Sequence, residues 1–237
     1  MCGTDQRDFF AFGSGRLRLN FIWDLLVSNT FHVADYDSHY LAQSNVDKTM
    51  NYFMWTFSPT ILNGWFLDEP CLANGDVVDP WTFNKCDVYK FDGEVLSVAK
   101  YQEGNQVEVS FGAFDLLYAN TTIASTISKI STNDVQLVPV KVDSATEEFF
   151  LVNVLTEIKC IDEIRSELTK WEAGNISRPD KIGQYRSFVK LYIDPATAEG
   201  HHIFRPWGWH GALIVSEVLK HEIERIGVAD TIFVPAS

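Results

Sequence analysis

The sequence predicts an α+β protein in which two strand–helix–strand units pack on a mixed sheet. Two observations lead to this prediction. Apolar residues follow a helical period in two short segments of the second half, and these segments match each other without a gap at an offset of 96 positions. We therefore expect residues 112–140 and 208–236 to form two pseudo-repeated units, which either duplication or convergence on a simple unit would explain.

Each predicted unit carries the signals of a short amphipathic helix. Asn120 and Ser216 are good N-cap residues, and each precedes apolar residues spaced at i, i+4 and i+7. The residues expected to be buried are Ile123, Ile127 and Ile130 in the first unit and Leu219, Ile223 and Ile226 in the second. In both units a polar turn then leads into a strand that ends in Val-Pro.

The first half of the chain has a different composition. Residues 1–110 hold 19 of the 32 aromatic residues, and Asp, Asn, Gly and Pro interrupt their apolar runs. We therefore divide the chain into an aromatic-rich β/loop region (1–110) packed on an α/β module (111–237). The predicted strands of the first region are Tyr52–Phe57, Val88–Phe91, Val95–Lys100 and Val107–Phe111, with a hairpin turn at Asp92-Gly93. Residues 20–27 suit either a strand or a helix.

The segment between the two units predicts further sheet. Residues 149–162 form a nearly continuous apolar run, which is typical of a central strand. Glu163–Trp171 is interpreted as a short helix, and the alternation in Ser187–Ile193 predicts another strand. Together these elements give the two helices a sheet to cover.

The chain is acidic, with 32 Asp and Glu residues against 19 Lys and Arg residues and a net charge of −13. Such a charge repels phosphate backbones and anionic lipids and attracts basic partners, which disfavours nucleic-acid binding. No apolar run approaches the roughly 18 residues that a membrane span needs. The first ten residues lack the pattern of a secretory signal, so we expect a cytoplasmic protein that binds no membrane.

The sequence contains no recognised motif for a cofactor, a metal ion or a covalent nucleophile. The four cysteines form no C-x-x-C pair, and the motifs of nucleotide-binding proteins, serine hydrolases and zinc proteases are absent. The densest polar stretch is HHIFRPWGWH (201–210), whose histidines match no metal spacing, and we interpret it as a structural loop. We therefore predict no catalytic, cofactor-binding or metal-binding residues.

A second polar cluster consists of Asp162, Glu163, Arg165, Ser166 and Glu167. Acids at the start of a helix explain these residues without any chemistry. The alternative is a hydrolase-like enzyme that uses a carboxylate/His cluster, which would require a carboxyl group with a raised pKa in a cleft.

The order of apolar and turn positions in the second half resembles a known protein family. The matching stretches are SFGAFDLLYANTTIASTI, VQLVPVKV, FFLVNVLTEIKCIDEIRSE and HHIFRPWGWHGALIVSEVLKHEIERIGVADTIFVP. The residues that carry the resemblance are Asn153-Val154-Leu155, the pair Asp162 and Ser166, Ile203-Phe204-Arg205, Leu213-Ile214-Val215-Ser216-Glu217 and Phe233-Val234-Pro235. Over residues 80–237 they resemble family eleven of the immunity proteins of bacterial polymorphic-toxin systems.

This resemblance implies a small cytoplasmic protein that binds and neutralises a cognate toxin and has no enzymatic residues. An acidic inhibitor suits a basic toxin, because opposite charges speed association and favour complementarity. A homo-oligomer is also compatible with the sequence.

Acidic loops beside aromatic residues mark the surface that we expect to contact the toxin. Acids in helices and tight turns serve local structure, whereas acids next to large rings combine steering with anchoring, as interfaces do. The candidate residues are Asp35, Tyr36, Asp37, Trp65, Asp68, Glu69, Asp76, Asp79 and Trp81. The alternative is that these are solvated loop acids next to buried rings.

Overall fold

The computed structural model describes residues 50–58, 63–90, 93–174, 178–228 and 231–237. Within these ranges the chain forms thirteen strands and two α-helices. The strands are β1 (Tyr52–Phe57), β2 (Phe66–Cys71), β3 (Leu96–Gln102), β4 (Val109–Phe111), β5 (Leu117–Asn120), β6 (Val135–Val142), β7 (Phe149–Val154), β8 (Glu157–Ile158), β9 (Glu167–Lys170), β10 (Tyr185–Lys190), β11 (Ile203–Pro206), β12 (Ile214–Ser216) and β13 (Thr231–Pro235). The helices are α1 (Thr121–Ile130) and α2 (Glu217–Ile226).

The strands form two large sheets and one hairpin. Six strands pair in the order β2-β3-β6-β7-β5-β4, five pair in the order β13-β1-β12-β11-β8, and β9 pairs only with β10. Both large sheets combine strands from before and after residue 110, so the aromatic-rich region is integrated into the sheets. The predicted α+β class with mixed sheets is confirmed, because parallel pairs (β3 with β6, β11 with β8) occur beside antiparallel ones.

The two strand–helix–strand units have the same local connectivity. β5 and β6 flank β7, which is antiparallel to both, and β12 and β13 flank β1, which is also antiparallel to both. The helices α1 and α2 contain ten residues each, and their first residues are Thr121 and Glu217. Superposition of the complete units 112–140 and 208–236 stays a prediction.

Both helices begin at the predicted caps. The side chain of Asn120 accepts a hydrogen bond of 3.0 Å from the backbone N–H of Ile123. The hydroxyl of Ser216 accepts the corresponding bond of 3.3 Å from Leu219. Because these bonds satisfy backbone donors at each helix start, they fix where the chain leaves the strand.

The predicted apolar stripes lie in the largest core, which contacts both helices and both large sheets. The stripe residues that are fully buried are Ile123, Ile127, Leu219 and Ile223. The last residue of each stripe, Ile130 or Ile226, is half-buried at the edge of this core. The stripe prediction is thus confirmed for the first two positions of each helix and is only partly met at the third.

The N-terminal strand predictions are confirmed except for one. Val88–Lys90 are not in a strand, because the side chain of Gln136 takes over the backbone groups of Tyr89, accepting from its N–H and donating to its carbonyl at 2.8 Å each. The predicted hairpin at Asp92-Gly93 is therefore wrong, since residues 88–90 do not form its first strand. Phe91 and Asp92 themselves lie outside the described residues. Residues 20–27 do as well.

Strand β2 was not predicted, although its position explains its sequence. Pro70 lies within it, and proline cannot donate a hydrogen bond to a neighbouring strand. β2 is at the edge of the six-stranded sheet, where β3 is its partner among the described strands, with a register shift between Leu67 and Pro70. An edge with a bulge is where a strand tolerates proline.

The predicted helix Glu163–Trp171 is wrong. The carboxylate of Asp162 accepts hydrogen bonds of 3.0 Å from the backbone N–H groups of Ile164 and Arg165, which closes a turn instead of starting a helix. Ser166 then binds the backbone of Tyr192 through its hydroxyl, at 3.1 Å to the carbonyl and 2.9 Å from the N–H. The chain continues as β9, whereas the predicted strands at 149–162 and 187–193 are confirmed in β7 and β10.

Candidate functional site

The predicted acidic surface lies at the β2 edge of the six-stranded sheet. Asp68 and Glu69 are in β2, and residues 76–79 run back beside that strand, held by a hydrogen bond of 2.8 Å from the N–H of Val78 to the carbonyl of Pro70. The structure thus brings these acids together. Asp35, Tyr36 and Asp37 lie outside the described residues.

Glu69 is the carboxylate most affected by its surroundings. Partial burial raises the pKa of Glu69 above its ordinary value of 4.5, and the like charges of Asp68 and Asp79 raise it further. Since this effect needs short distances between the charges, the three acids act as one concentrated negative region. Neutralising that charge would require a cation from outside the cluster or from a partner.

Asp76 and Asp79 also shape the backbone. The N–H of Asp76 donates to the side chain of Asn74 at 2.9 Å, and the amide of Asn74 donates to the Asp76 carboxylate at 2.7 Å. Asp79 caps a short 3-10 helix (Pro80–Asn84) by accepting from the N–H of Trp81 at 3.0 Å. Both carboxylates remain on exposed residues, so each combines a local role with a surface charge.

The two tryptophans of the predicted surface have different positions. Trp65 is only 2% exposed and packs against Phe149, with ring centres 5.7 Å apart, so the expectation that it contacts a partner is corrected: it supports the sheet from inside. Trp81 is half-buried and lies 5.0 Å from the ring of Phe114. Of these two tryptophans, Trp81 is therefore the one that the surface presents.

The histidines of HHIFRPWGWH each pair with a different group. His201 lies 2.8 Å from the carboxylate of Asp134, and His202 lies 2.8 Å from the hydroxyl of Ser216. His210 contacts the carboxylate of Glu157. These pairs tie the loop to neighbouring elements, and among the described ranges no group of three or more His, Cys, Asp and Glu side chains is arranged to hold a metal ion.

Arg205 is a buried polar residue at the junction of the two large sheets. Its side chain is 1% exposed and donates to the carbonyl of Asp115 at 3.1 Å and to the carbonyl of His210. Burial lowers the pKa of Arg205, and the nearby charge of Asp115 opposes that shift. Two backbone carbonyls thus hold the guanidinium group of Arg205, which gives the residue a structural role.

Cys86 lies close to this junction but lacks the properties of a nucleophile. Burial raises the pKa of its thiol to about 11, more than the charge of Arg205 lowers it. The thiol donates to the carbonyl of Thr156 at 3.7 Å. A thiol with this pKa is protonated at neutral pH.

The structure also shows a feature that sequence reasoning missed, namely cations stacked on aromatic rings around the β9–β10 hairpin. The guanidinium of Arg186 lies 5.1 Å from the ring centre of Trp171, and the ammonium of Lys159 lies 5.2 Å from that of Trp207. The available signal was local charge: residues 159–192 hold seven basic and five acidic residues in an otherwise acidic chain.

Residues 134–237 match the model of the Immunity protein family (Imm11). The resemblance predicted from the sequence is confirmed over those residues, which cover β6 to β13. The comparison with individual curated proteins found no match.

The family match also assigns the sequence features to two parts of the chain. It includes the hairpin β9–β10, the histidine-rich loop and α2. The predicted acidic surface at residues 68–81 precedes the matched range. Among the described residues, no helix is both long and apolar enough to cross a membrane.

Proposed function

We propose that this protein is an immunity-type protein that binds and neutralises a cognate toxin in the cytoplasm without catalysis. The observation that carries the proposal is the match of residues 134–237 to an immunity protein family. The net charge of −13 supports a basic toxin as the partner, since an acidic inhibitor gains association rate from such a charge.

The proposed contact surface is the acidic surface formed by Asp68, Glu69, Asp76, Asp79 and Trp81. Its carboxylates supply long-range attraction, and the half-buried ring of Trp81 supplies rigid apolar area next to them. Trp65 contributes from beneath by packing against the sheet.

The first test concerns the function itself. The gene beside this one is expected to encode a toxin, and co-expression of this protein is expected to restore growth to cells that produce it. Growth that stays arrested although both proteins are present and folded would contradict the proposal.

The second test concerns the surface and uses neutral isosteres, so that the capping and turn hydrogen bonds keep their acceptors. The quadruple variant Asp68→Asn, Glu69→Gln, Asp76→Asn and Asp79→Asn is expected to slow association with that toxin by about tenfold or more at low salt, and by much less at high salt. Stopped-flow or surface-plasmon measurements give both rates.

The matched control changes the same number of charges elsewhere, at the exposed residues Glu94, Asp143, Glu172 and Glu199. It removes the same net charge but leaves the acidic surface intact. Equal slowing in both quadruple variants would show that only net charge matters, and an unchanged rate in the first would place the contact elsewhere.

A further inference from the structure

The β9–β10 hairpin departs from the acidity of the rest of the chain. Residues 159–192 carry a net charge of +2, whereas the whole chain carries −13. Arg186 is exposed, and the ring of Trp171 holds its guanidinium in place. A cation fixed on a ring keeps its charge available to a carboxylate while losing little side-chain freedom on binding.

This cationic region directly adjoins the acidic surface. The N–H of Trp171 donates to the carbonyl of Gln184 at 2.9 Å, which anchors the loop 178–184 to the hairpin. The ammonium of Lys181, in that loop, lies 6.0 Å from the ring centre of Trp81. The loop 178–184 therefore connects Trp171 to Trp81, and the cationic region meets the acidic surface along this loop.

Apolar side chains are exposed on both sides of this boundary. Val77 is 56% exposed beside the acids, and Ile182 is 44% exposed in the loop 178–184. Exposed apolar residues surrounded by charges of both signs are typical of a protein interface. Burying the apolar centre contributes affinity, and the charged rim contributes specificity.

We infer that a second copy of this chain binds here and forms a two-fold dimer. The acidic half of the interface consists of Glu69, Asp76, Val77, Asp79 and Trp81. The cationic half consists of Trp171, Lys181, Ile182 and Arg186. A two-fold axis near their boundary places the acidic half of each copy against the cationic half of the other.

A second copy is the occupant that these charges favour. A basic partner that covered both halves would meet repulsion from Arg186 and Lys181, and an acidic one would meet it from Glu69, Asp76 and Asp79. Another copy carries both halves in the same arrangement, so both contacts are attractive at once.

This inference goes beyond the proposed function and does not depend on a toxin. The acidic half is also the surface proposed to contact the toxin, so a toxin and a second copy would compete for it. The dimer can nevertheless be tested with this protein alone.

Sedimentation velocity of the full chain over a range of concentrations is the test. The wild type is expected to reach twice the mass of one chain at low salt and to dissociate more readily at high salt. The variants Arg186→Glu and Glu69→Lys are each expected to raise the dissociation constant at least tenfold, because each weakens the attraction between opposite charges in both contacts of the dimer. Lys129→Glu, an exposed charge change on α1, is the matched control and leaves the dimer unchanged.

An equimolar mixture of the two interface variants gives the sharpest outcome. In the mixed dimer one contact keeps both wild-type halves, and the other places the negative charge introduced by Arg186→Glu against the positive charge introduced by Glu69→Lys, so the mixture is expected to recover the mass that neither variant reaches alone. Asp76→Lys replaces Glu69→Lys if circular dichroism shows that the latter does not fold. A monomeric wild type at all concentrations, or a mixture of folded variants that does not associate, would overturn the inference.

Discussion

At the residue scale, the loop acids differ in what their carboxylates do. Asp76 and Asp79 accept hydrogen bonds inside their own turns. The pKa of Glu69, in contrast, is set mainly by burial and by two like charges. Substitution by the neutral isostere therefore has different meanings at these positions. At Asp79 it preserves a cap, and at Glu69 it removes a charge that opposes folding.

The variant Glu69→Gln is expected to unfold less readily than the wild type at neutral pH. A carboxyl group whose pKa is raised by folding is protonated in both states below its ordinary value of 4.5, so it has no effect there. As the pH rises from 4.5 through the raised pKa of the folded state, ionisation costs the folded state stability, and that loss stays constant above it. The free energy of unfolding of Glu69→Gln should therefore exceed that of the wild type by less than about 1 kcal/mol at pH 7, as for other partly exposed charges. This difference should vanish at low pH.

Urea unfolding at several pH values measures this difference. Glu94→Gln is the matched control, because it removes the same charge from an exposed residue on another loop. A gain for Glu69→Gln that grows as the pH falls would have the wrong sign and would contradict the assigned cause.

Sequence reasoning at this scale identified the acidic surface but not the role of each member. The cap at Asp79 carried a signal, since Asp followed by Pro is typical of a helical start. The burial of Trp65 carried none, because a tryptophan between loops has the same local sequence whether it packs inward or outward. The difference is decided by Phe149, which is distant in sequence.

At the element scale, the two ten-residue helices were predictable and the β9–β10 hairpin was not. Each helix has local sequence signals, namely a cap and an apolar stripe. Both helices begin at the predicted residues. The hairpin depends on the turn closed by Asp162 and on the bond between Ser166 and Tyr192, 26 residues apart. The local sequence around residue 163 does not indicate that Ser166 binds Tyr192, and its acidic residues fit the start of a helix equally well.

Truncation of the helix stripes tests whether the two units are equivalent. Ile127→Ala and Ile223→Ala remove fully buried side chains at corresponding positions, and each is expected to lower the free energy of unfolding by about 2–5 kcal/mol. Ile226→Ala should cost clearly less, because that residue is half-buried at the edge of the core. Chemical denaturation of the three variants compares them directly.

A cost below about 1 kcal/mol for either fully buried position would contradict the assignment of that stripe to the core. Similar costs for Ile127 and Ile223 would support the prediction that the units 112–140 and 208–236 are equivalent. Strongly different costs would show that the two sites relax differently despite their matching sequences.

At the scale of the whole molecule, the chain interleaves its first and second halves. β1 lies between β12 and β13, and β3 pairs with β6, so early strands complete sheets built mainly from later ones. The sequence predicted the mixed sheets, whereas the division of the chain at residue 110 stays a prediction. It could not assign strands to sheets, since β1 pairs with strands more than 150 positions away and β3 with a strand beyond α1.

This interleaving predicts that the family-matched segment, residues 134–237, does not fold alone. Without β1, the strands β12 and β13 lose the partner between them, and the rings of Phe204 and Phe233 lose their contacts with Tyr52 and Trp55. Removal of α1 and β5 also uncovers the core face that α2 shares with them.

We expect a fragment of residues 134–237 to show no cooperative thermal transition and poorly dispersed amide NMR signals, whereas residues 50–237 should show both a transition and dispersed signals. The longer fragment controls for loss of residues 1–49. A cooperative transition of the short fragment would mean that the matched segment is an autonomous domain, with β1 added to a sheet that is already stable.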